Sequence, residues 1–154
     1  MKTKTIGLTL ALCFLAGAAC FADDPNMGTW KLNEAKSKPA PGAEKLTTVV
    51  YEAAGDQVKV TIDGTDASAK PIHNEWTGKF DGKDYAVTGD PTSDMRSYKK
   101  IDAQTLKFTV KKGDKTTATG RIVVAADGKS RTVTAKGTDE QGKAFKNVSV
   151  YDKQ

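Results

Sequence analysis

Turn-forming residue pairs recur along the chain and divide it into short segments. Gly55-Asp56, Asp63-Gly64, Gly113-Asp114 and Asp127-Gly128 are four of these signals. The Asp-Gly pairs are typical of hairpins, because a two-residue turn requires positive φ angles that Asp and Gly tolerate. The segments between the turns are rich in Val, Thr, Tyr, Phe and Ile, and none has sustained helical periodicity. This pattern predicts an all-β protein of short strands.

Apolar and polar residues alternate within these segments. In the segment 57–63, Val58, Val60 and Ile62 fall on one face and polar side chains fall on the other, and the segment 105–111 repeats the pattern. Period-two alternation indicates a strand with one buried face and one solvent-exposed face. By this criterion we expect strands at 28–33, 45–53, 57–63, 71–79, 84–88, 94–101, 105–112, 116–125, 129–137 and 143–152.

The short connections predict an antiparallel up-and-down meander. An open sheet of this size would leave unpaired edges that favour aggregation, so the sheet must close or stack. We expect closure into a β-barrel of about eight to ten strands. A sandwich of two β-sheets is the alternative. A single turn of helix is expected at residues 33–37, before Pro39 and Pro41.

The first 22 residues have the pattern of a signal peptide. Lys2 and Lys4 precede an uncharged apolar stretch at 6–19, and small residues lie three and one positions before a cut after Ala22. We expect a secreted or periplasmic protein whose residues 23–154 form a single β-barrel domain. The alternatives are a retained N-terminal anchor or lipidation at Cys20, although Gly17 stands where lipoprotein signals usually carry Leu. Membrane attachment is expected only if Cys20 is lipidated.

Few residues suited to catalysis or metal binding occur in the chain. Its two cysteines are Cys13 and Cys20, and its one histidine is His73. These counts exclude a disulfide scaffold, a Cys/His zinc site and a triad that needs a second histidine. We therefore expect no metal and no cofactor. His73 and Glu75 could exchange a proton, but no nucleophile or oxyanion hole accompanies them, so an enzyme is not expected.

The charge of the chain is mildly basic. The net charge is +5, and loss of Lys2 and Lys4 with the signal peptide would leave +3. Lysines far outnumber arginines and are spread over nearly every predicted strand and turn. Nucleic-acid recognition usually relies on clustered Arg with stacking aromatics, so no nucleic-acid partner is expected.

A Gly-x-Trp motif at Gly28 and Trp30 opens the first predicted strand. With the meander of strands behind it, the chain resembles the calycins, which include lipocalins and fatty-acid-binding proteins. The resemblance implies a barrel whose closed end is plugged by Trp30, with a late arginine over the ring. Arg121 and Arg131 are the two arginines late enough for that role.

Other segments resemble a group of small secreted bacterial proteins of unassigned function, from which no activity follows. The segments are 28–38, 80–85 and 150–153. The chain departs from fatty-acid-binding proteins, because its last strand lacks the Arg-x-Tyr that holds a ligand carboxylate. The one Arg-x-Tyr is Arg96-Ser97-Tyr98, several strands earlier.

Five residues are the candidate ligand-binding set: Trp76, Arg96, Tyr98, Phe108 and Arg121. Arg96 and Tyr98 share one strand face, so if they point inward they could bind an anionic ligand. If they point outward, they are ordinary surface residues. Trp76 and Phe108 either line a cavity or fill the core.

We expect a binding module for a small apolar or amphipathic ligand. The rival is an envelope-associated interaction protein with a filled core, which would act through surface loops such as 89–94.

Overall fold

The computed structural model describes residues 23–139 and 141–154, so the predicted signal peptide at 1–22, with Cys13 and Cys20, lies outside the described residues. The described chain forms ten β-strands. Their bounds are β1 Gly28–Leu32, β2 Lys45–Ala54, β3 Gln57–Thr65, β4 Pro71–Gly78, β5 Tyr85–Thr88, β6 Met95–Lys100, β7 Thr105–Lys112, β8 Lys115–Val124, β9 Ser130–Thr138 and β10 Ala144–Lys153. Each lies where the alternation predicted it, with bounds that differ by at most two residues. The Asp63-Gly64 pair, expected to form a turn, instead lies within β3.

The strands form one closed antiparallel barrel in chain order. Each strand pairs with the next, and β1 pairs with both β2 and β10: Trp30 lies opposite Val49 on one side and Lys153 on the other. The predicted all-β meander barrel is confirmed, and closure excludes the two-sheet sandwich. A 3-10 helix at Glu34–Lys36, capped by Asn33, is the predicted turn of helix. Among the described residues, no helix is long and apolar enough to cross a membrane.

The alternation of side chains places a continuous apolar core inside the barrel. Val58, Val60 and Ile62 on β3 are all buried, as the sequence pattern predicted. Each buried aliphatic side chain of this size contributes about 1.5–3 kcal/mol to folding. The buried apolar side chains come from nine strands and form one cluster: Trp30, Val49, Tyr51, Val58, Val60, Ile62, Trp76, Val87, Tyr98, Leu106, Ile122, Val124 and Tyr151.

The two ends of the barrel differ. We call the end where β1 begins and β10 ends the lower end, and the opposite end the upper end. Residues 24–27 cover the lower end, since the Trp30 indole donates a hydrogen bond of 2.9 Å to the carbonyl of Asn26. Lys100 binds Asp24 at 2.6 Å and attaches the same segment to the end of β6. The lower end is therefore sealed by the residues just before β1.

The connection between β1 and β2 runs along the edge of β10. Lys38 and Val148 exchange two backbone hydrogen bonds, of 2.7 and 3.1 Å. The Asn147 side chain then accepts a hydrogen bond from the amide of Ala40. These contacts lead the chain to the upper end, where it crosses to the start of β2.

Two inward-facing glycines on the upper half are covered by aromatic rings. Gly120 lies opposite Phe108 and Gly137 lies opposite Phe145. A Cβ atom at Gly120 would stand 2.4 Å from the Phe108 ring and 2.2 Å from the carbonyl oxygen of Thr134. The missing side chains let the rings lie directly against the barrel wall.

Gly120→Ala tests this packing. The added methyl collides with backbone as well as with a ring, so we expect a loss of about 1–3 kcal/mol in the free energy of unfolding, as for other overpacked cores. Urea unfolding followed by circular dichroism measures the change. Thr119→Ala, at the exposed neighbouring position, is the control and should shift stability by less than about 0.5 kcal/mol. Equal unfolding midpoints for the two variants would contradict the close approach.

Candidate functional site

Aromatic side chains fill much of the lower half of the barrel. Trp76 and Tyr98 meet edge to face with ring centroids 4.8 Å apart, and Tyr51 and Phe80 complete the group. The Trp76 indole donates a hydrogen bond of 2.8 Å to the carbonyl of Arg96. Trp76 is 1% exposed and Tyr98 is 4% exposed. Both residues therefore form core, and neither presents an open surface to a ligand.

Arg131 lies buried among three aromatic rings at the lower end. Its guanidinium carbon is 4.6 Å from the Trp30 ring centroid, 4.9 Å from that of Tyr51 and 5.1 Å from that of Tyr151. Among the described residues, no hydrogen-bond partner meets its Nε or Nη1. The ring faces thus provide much of the stabilisation of this charge. Of the two arginines that the sequence left open, Arg131 covers Trp30, whereas Arg121 is exposed on the outer face of β8.

Arg131→Lys tests the role of the guanidinium. A lysine ammonium is more strongly hydrated and cannot stack as a plane against the rings, so its burial costs more. We expect the free energy of unfolding to fall by about 1–3 kcal/mol. Arg121→Lys makes the same chemical change at an exposed site and should have almost no effect. The two variants are compared by urea unfolding, and an equal effect would show that the ring contacts carry no stability.

The two tyrosines beside Arg131 have perturbed acidities. Burial raises the pKa of Tyr151 to about 12, although the Arg131 charge acts in the opposite direction. Burial and the neighbouring phenol of Tyr98 also raise the pKa of Tyr51, again against Arg131. The Tyr151 hydroxyl donates a hydrogen bond of 3.0 Å to the carbonyl of Leu46. Both phenols therefore stay protonated in the folded protein where an unfolded chain would ionise.

This shift predicts that stability is lost at alkaline pH. The folded-state pKa of Tyr151 lies above the unfolded value of about 10, so its contribution is complete below pH ~10 and is lost as the pH rises toward 12. The loss attributable to this one group is about 2–3 kcal/mol. Urea unfolding at a series of pH values should give a shallower decline for Tyr151→Phe than for the unmodified protein. Parallel declines would contradict the assignment.

Arg96 points inward, but its guanidinium is already paired with the carboxylate of Asp90. Its Nη2 lies 3.5 Å from Asp90 and its Nη1 lies 3.4 Å from the Asn74 side-chain oxygen. Burial acts to raise the pKa of Asp90, but hydrogen bonds from Ser93 and its neighbours, with the Arg96 charge, hold that pKa below its usual value. Arg96 therefore closes the upper end beneath the loop 89–94, and Tyr98, two residues along, lies in a different environment.

The upper half of the barrel between β7 and β10 is more open than the lower half. On these strands, the inward-facing residues near the lower end, Leu106, Ile122 and Tyr151, are at most 3% exposed. Their counterparts toward the upper end are all half-buried. We call this surface the upper cup; its residues are Phe108, Val110, Ala118, Gly120, Val133, Ala135, Gly137, Phe145, Asn147 and Ser149. Solvent therefore reaches the barrel interior from above.

The cup is apolar with a polar margin. Phe108, Val133 and Phe145 give it apolar walls, and the Ser149 hydroxyl adds a polar group. A shallow recess of about 140 Å³ adjoins the cup at the upper ends of β8 and β9 and shares Ala118 and Gly137 with it. The recess is lined by Thr116, Thr117, Ala118, Thr119, Lys136, Gly137 and Thr138. Small-molecule sites usually exceed about 300 Å³. The recess is thus too small to be the site, and the cup is the stronger candidate.

His73 lies on the outer face of β4, in agreement with the alternation. Its Nδ1 is 2.6 Å from Asp63 and its Nε2 is 3.8 Å from Glu75, which also binds Lys59 at 2.5 Å. The hydrogen bond to Asp63 raises the pKa of His73. Within residues 23–139 and 141–154, no three side chains of the His, Cys, Asp or Glu types are grouped as a metal site would require.

Of the five candidate ligand residues, the structure brings together Trp76, Tyr98 and Phe108. Tyr98 and Phe108 have ring centroids 6.4 Å apart, so Phe108 is the cup residue that contacts the buried aromatic cluster. The sequence did not single out Val133, Ala135 or Ser149. Their alternation on β9 and β10 was visible, but it could not show which inward positions are near the open end.

Comparison with protein-family models gives no match, and comparison with curated proteins finds no similar sequence. The ten-stranded antiparallel barrel is compatible with a calycin-like fold.

Proposed function

We propose that this protein binds a small, partly apolar molecule in the upper cup. The observation that carries the proposal is a contrast along β7 to β10: the inward side chains of these strands are buried near the lower end and half-buried toward the upper end. A core that only stabilised the fold would gain from burying Phe108 and Phe145 completely. Their partial exposure is what a binding surface requires.

The packed lower half limits the size of the ligand. Trp30, Arg131 and the aromatic cluster occupy the space that a deep ligand would need. The ligand would therefore contact the cup from above, with an apolar portion against Phe108, Val133 and Phe145. The Ser149 hydroxyl would orient a polar group. Arg96 would not bind an anionic group directly, because Asp90 neutralises it.

A calycin-like relationship and export from the cytoplasm are part of the same proposal. The Gly28-x-Trp30 motif, closure of the barrel and Arg131 over Trp30 support the relationship. The pattern of residues 1–22 supports secretion or periplasmic location. Intact-mass measurement of protein recovered from the producing cells would test cleavage after Ala22, and a lipid-modified Cys20 would contradict it.

Ala135→Trp is designed to fill the cup. Ala135 lies on β9 between Gly120 and Asn147, so an indole at this position would project into the cup. N-phenyl-1-naphthylamine, a neutral apolar fluorophore, serves as the probe. We expect the unmodified protein to enhance its fluorescence saturably, and Ala135→Trp to weaken the apparent Kd at least tenfold, about 1.4 kcal/mol.

Lys136→Trp is the matched control, because it places the same indole at the next residue of β9, which faces outward from the barrel. It should leave probe binding unchanged. Ala135→Leu, a smaller obstruction, should give an intermediate loss, and urea unfolding confirms that each variant is folded. Absence of saturable binding by the unmodified protein, or equal binding by all variants, would support the rival interaction protein with a filled core.

A further inference from the structure

Positive charge is concentrated on one side of the outer face of the barrel. Four consecutive strands, β6 to β9, contain no acidic residue. Five exposed cations lie on the outer face of β6 to β10, and we call them the basic band: Lys99, Lys107, Arg121, Lys136 and Lys146. The sequence suggested lysines spread evenly over the strands, but the strand register gathers these five on one side.

Like charges stand directly opposite one another within the band. Lys107 pairs with Lys99 on one side and with Arg121 on the other, and Lys136 pairs with Lys146. Directly opposed residues on neighbouring strands have Cβ atoms about 4.5–5.5 Å apart, and like charges at that distance are unfavourable. Arg121 faces Thr134, two residues from Lys136, so the two rows are diagonal neighbours. The band is therefore continuous, and its repulsion opposes folding.

The opposite side of the barrel is neutralised. On β3 and β4, Lys59 binds Glu75 and His73 binds Asp63. By contrast, none of the acidic side chains described in 23–139 and 141–154 lies within 4.0 Å of a band cation. The pKa of Asp102 is lowered mainly by a backbone hydrogen bond from Gln104, and the Arg121 charge contributes least to that shift. The band charges thus remain available to an external anion.

The surroundings of the band favour a lipid surface over a nucleic acid. Two large apolar residues near the band, Val123 and Ile101, are each 45% exposed and are the most exposed of their kind described. Val123 is the next outward-facing residue after Arg121 on β8. Phe108 is the one aromatic residue in the described strands β7 to β9, and it faces inward. Single-stranded nucleic acids are bound by exposed stacking aromatics, whereas membrane interfaces take cations with neighbouring apolar side chains.

We propose that the basic band docks this protein on a membrane surface rich in anionic phospholipids. The five cations would contact headgroup phosphates, and Val123 and Ile101 would contact the interfacial region at the lower edge. The barrel would then lie on its side, with β8 toward the lipid and the upper cup open beside the membrane. This surface is separate from the cup, so either proposal can fail alone.

Vesicle co-sedimentation of the full chain tests the docking surface. Vesicles of phosphatidylcholine alone are compared with vesicles in which about one-third of the lipid is phosphatidylglycerol. We expect preferential binding to the anionic vesicles, which weakens as salt is added because exposed charges are screened. The double variant Lys107→Glu/Arg121→Glu should weaken that binding at least tenfold. Lys136→Glu/Lys146→Glu, in the second row, should weaken it similarly.

Lys70→Glu/Lys83→Glu is the matched control, with the same change in net charge at two exposed turn lysines outside the band. It should retain most of the binding. The control and the band variants are prepared in the same way, so residues 1–22 contribute equally to all of them whether they are retained or removed. The proposal would be overturned if the control and band variants lost binding equally, or if the unmodified chain showed no preference for anionic vesicles. Tighter binding to duplex DNA at matched phosphate concentration would also overturn it.

Discussion

Pairing between the first and last strands is the constraint on which the rest of the molecule depends. Trp30 to Leu32 pair with Tyr151 to Lys153, and the sheet thereby closes without an edge along β1. Trp30 lies in this seam and is buried beneath Arg131, with its indole bound to the segment 24–27. Closure and sealing of the lower end therefore depend on the same residue. Loss of this side chain would leave Arg131 buried without its closest ring.

The sealed lower half makes an asymmetric barrel possible. Because Trp76, Tyr98 and the rings around Arg131 carry much of the apolar burial, the upper half between β7 and β10 can remain less completely packed. Glycines at 120 and 137 let Phe108 and Phe145 lie against the wall there. The lower end of the barrel thus provides much of the stability, whereas the solvent-accessible part of the interior lies at the upper end.

The outer surface shows a similar division. The side formed by β3 and β4 pairs its charges, whereas the side formed by β6 to β10 opposes lysine to lysine. Each like-charged pair costs stability that a neutral residue would not. The barrel thus combines a stabilising, neutralised side with a basic band whose five cations have no acidic side chain within 4.0 Å in the described chain.

The alternation of residues and the regular turns determined the strands almost to the residue, because a period of two is a local property of each segment. They also determined that Val58, Val60 and Ile62 share the buried face. The choice between Arg121 and Arg131 was not local. Both follow the same type of pattern, and only the closed barrel shows that Arg131 reaches Trp30 while Arg121 faces outward.

Tertiary structure alone also decided the environment of the inward residues and the pattern of surface charge. Arg96 and Tyr98 share a face, as their spacing required, but Asp90 meets the first and Trp76 meets the second. The burial of an inward residue depends on which segments cover its end of the barrel, and the basic band depends on the register between strands. Neither the burial of an inward residue nor the basic band can be derived from any one segment, because both arise when distant segments pair. The sequence by itself therefore determined the elements and their faces, and closure of the sheet decided what each face meets.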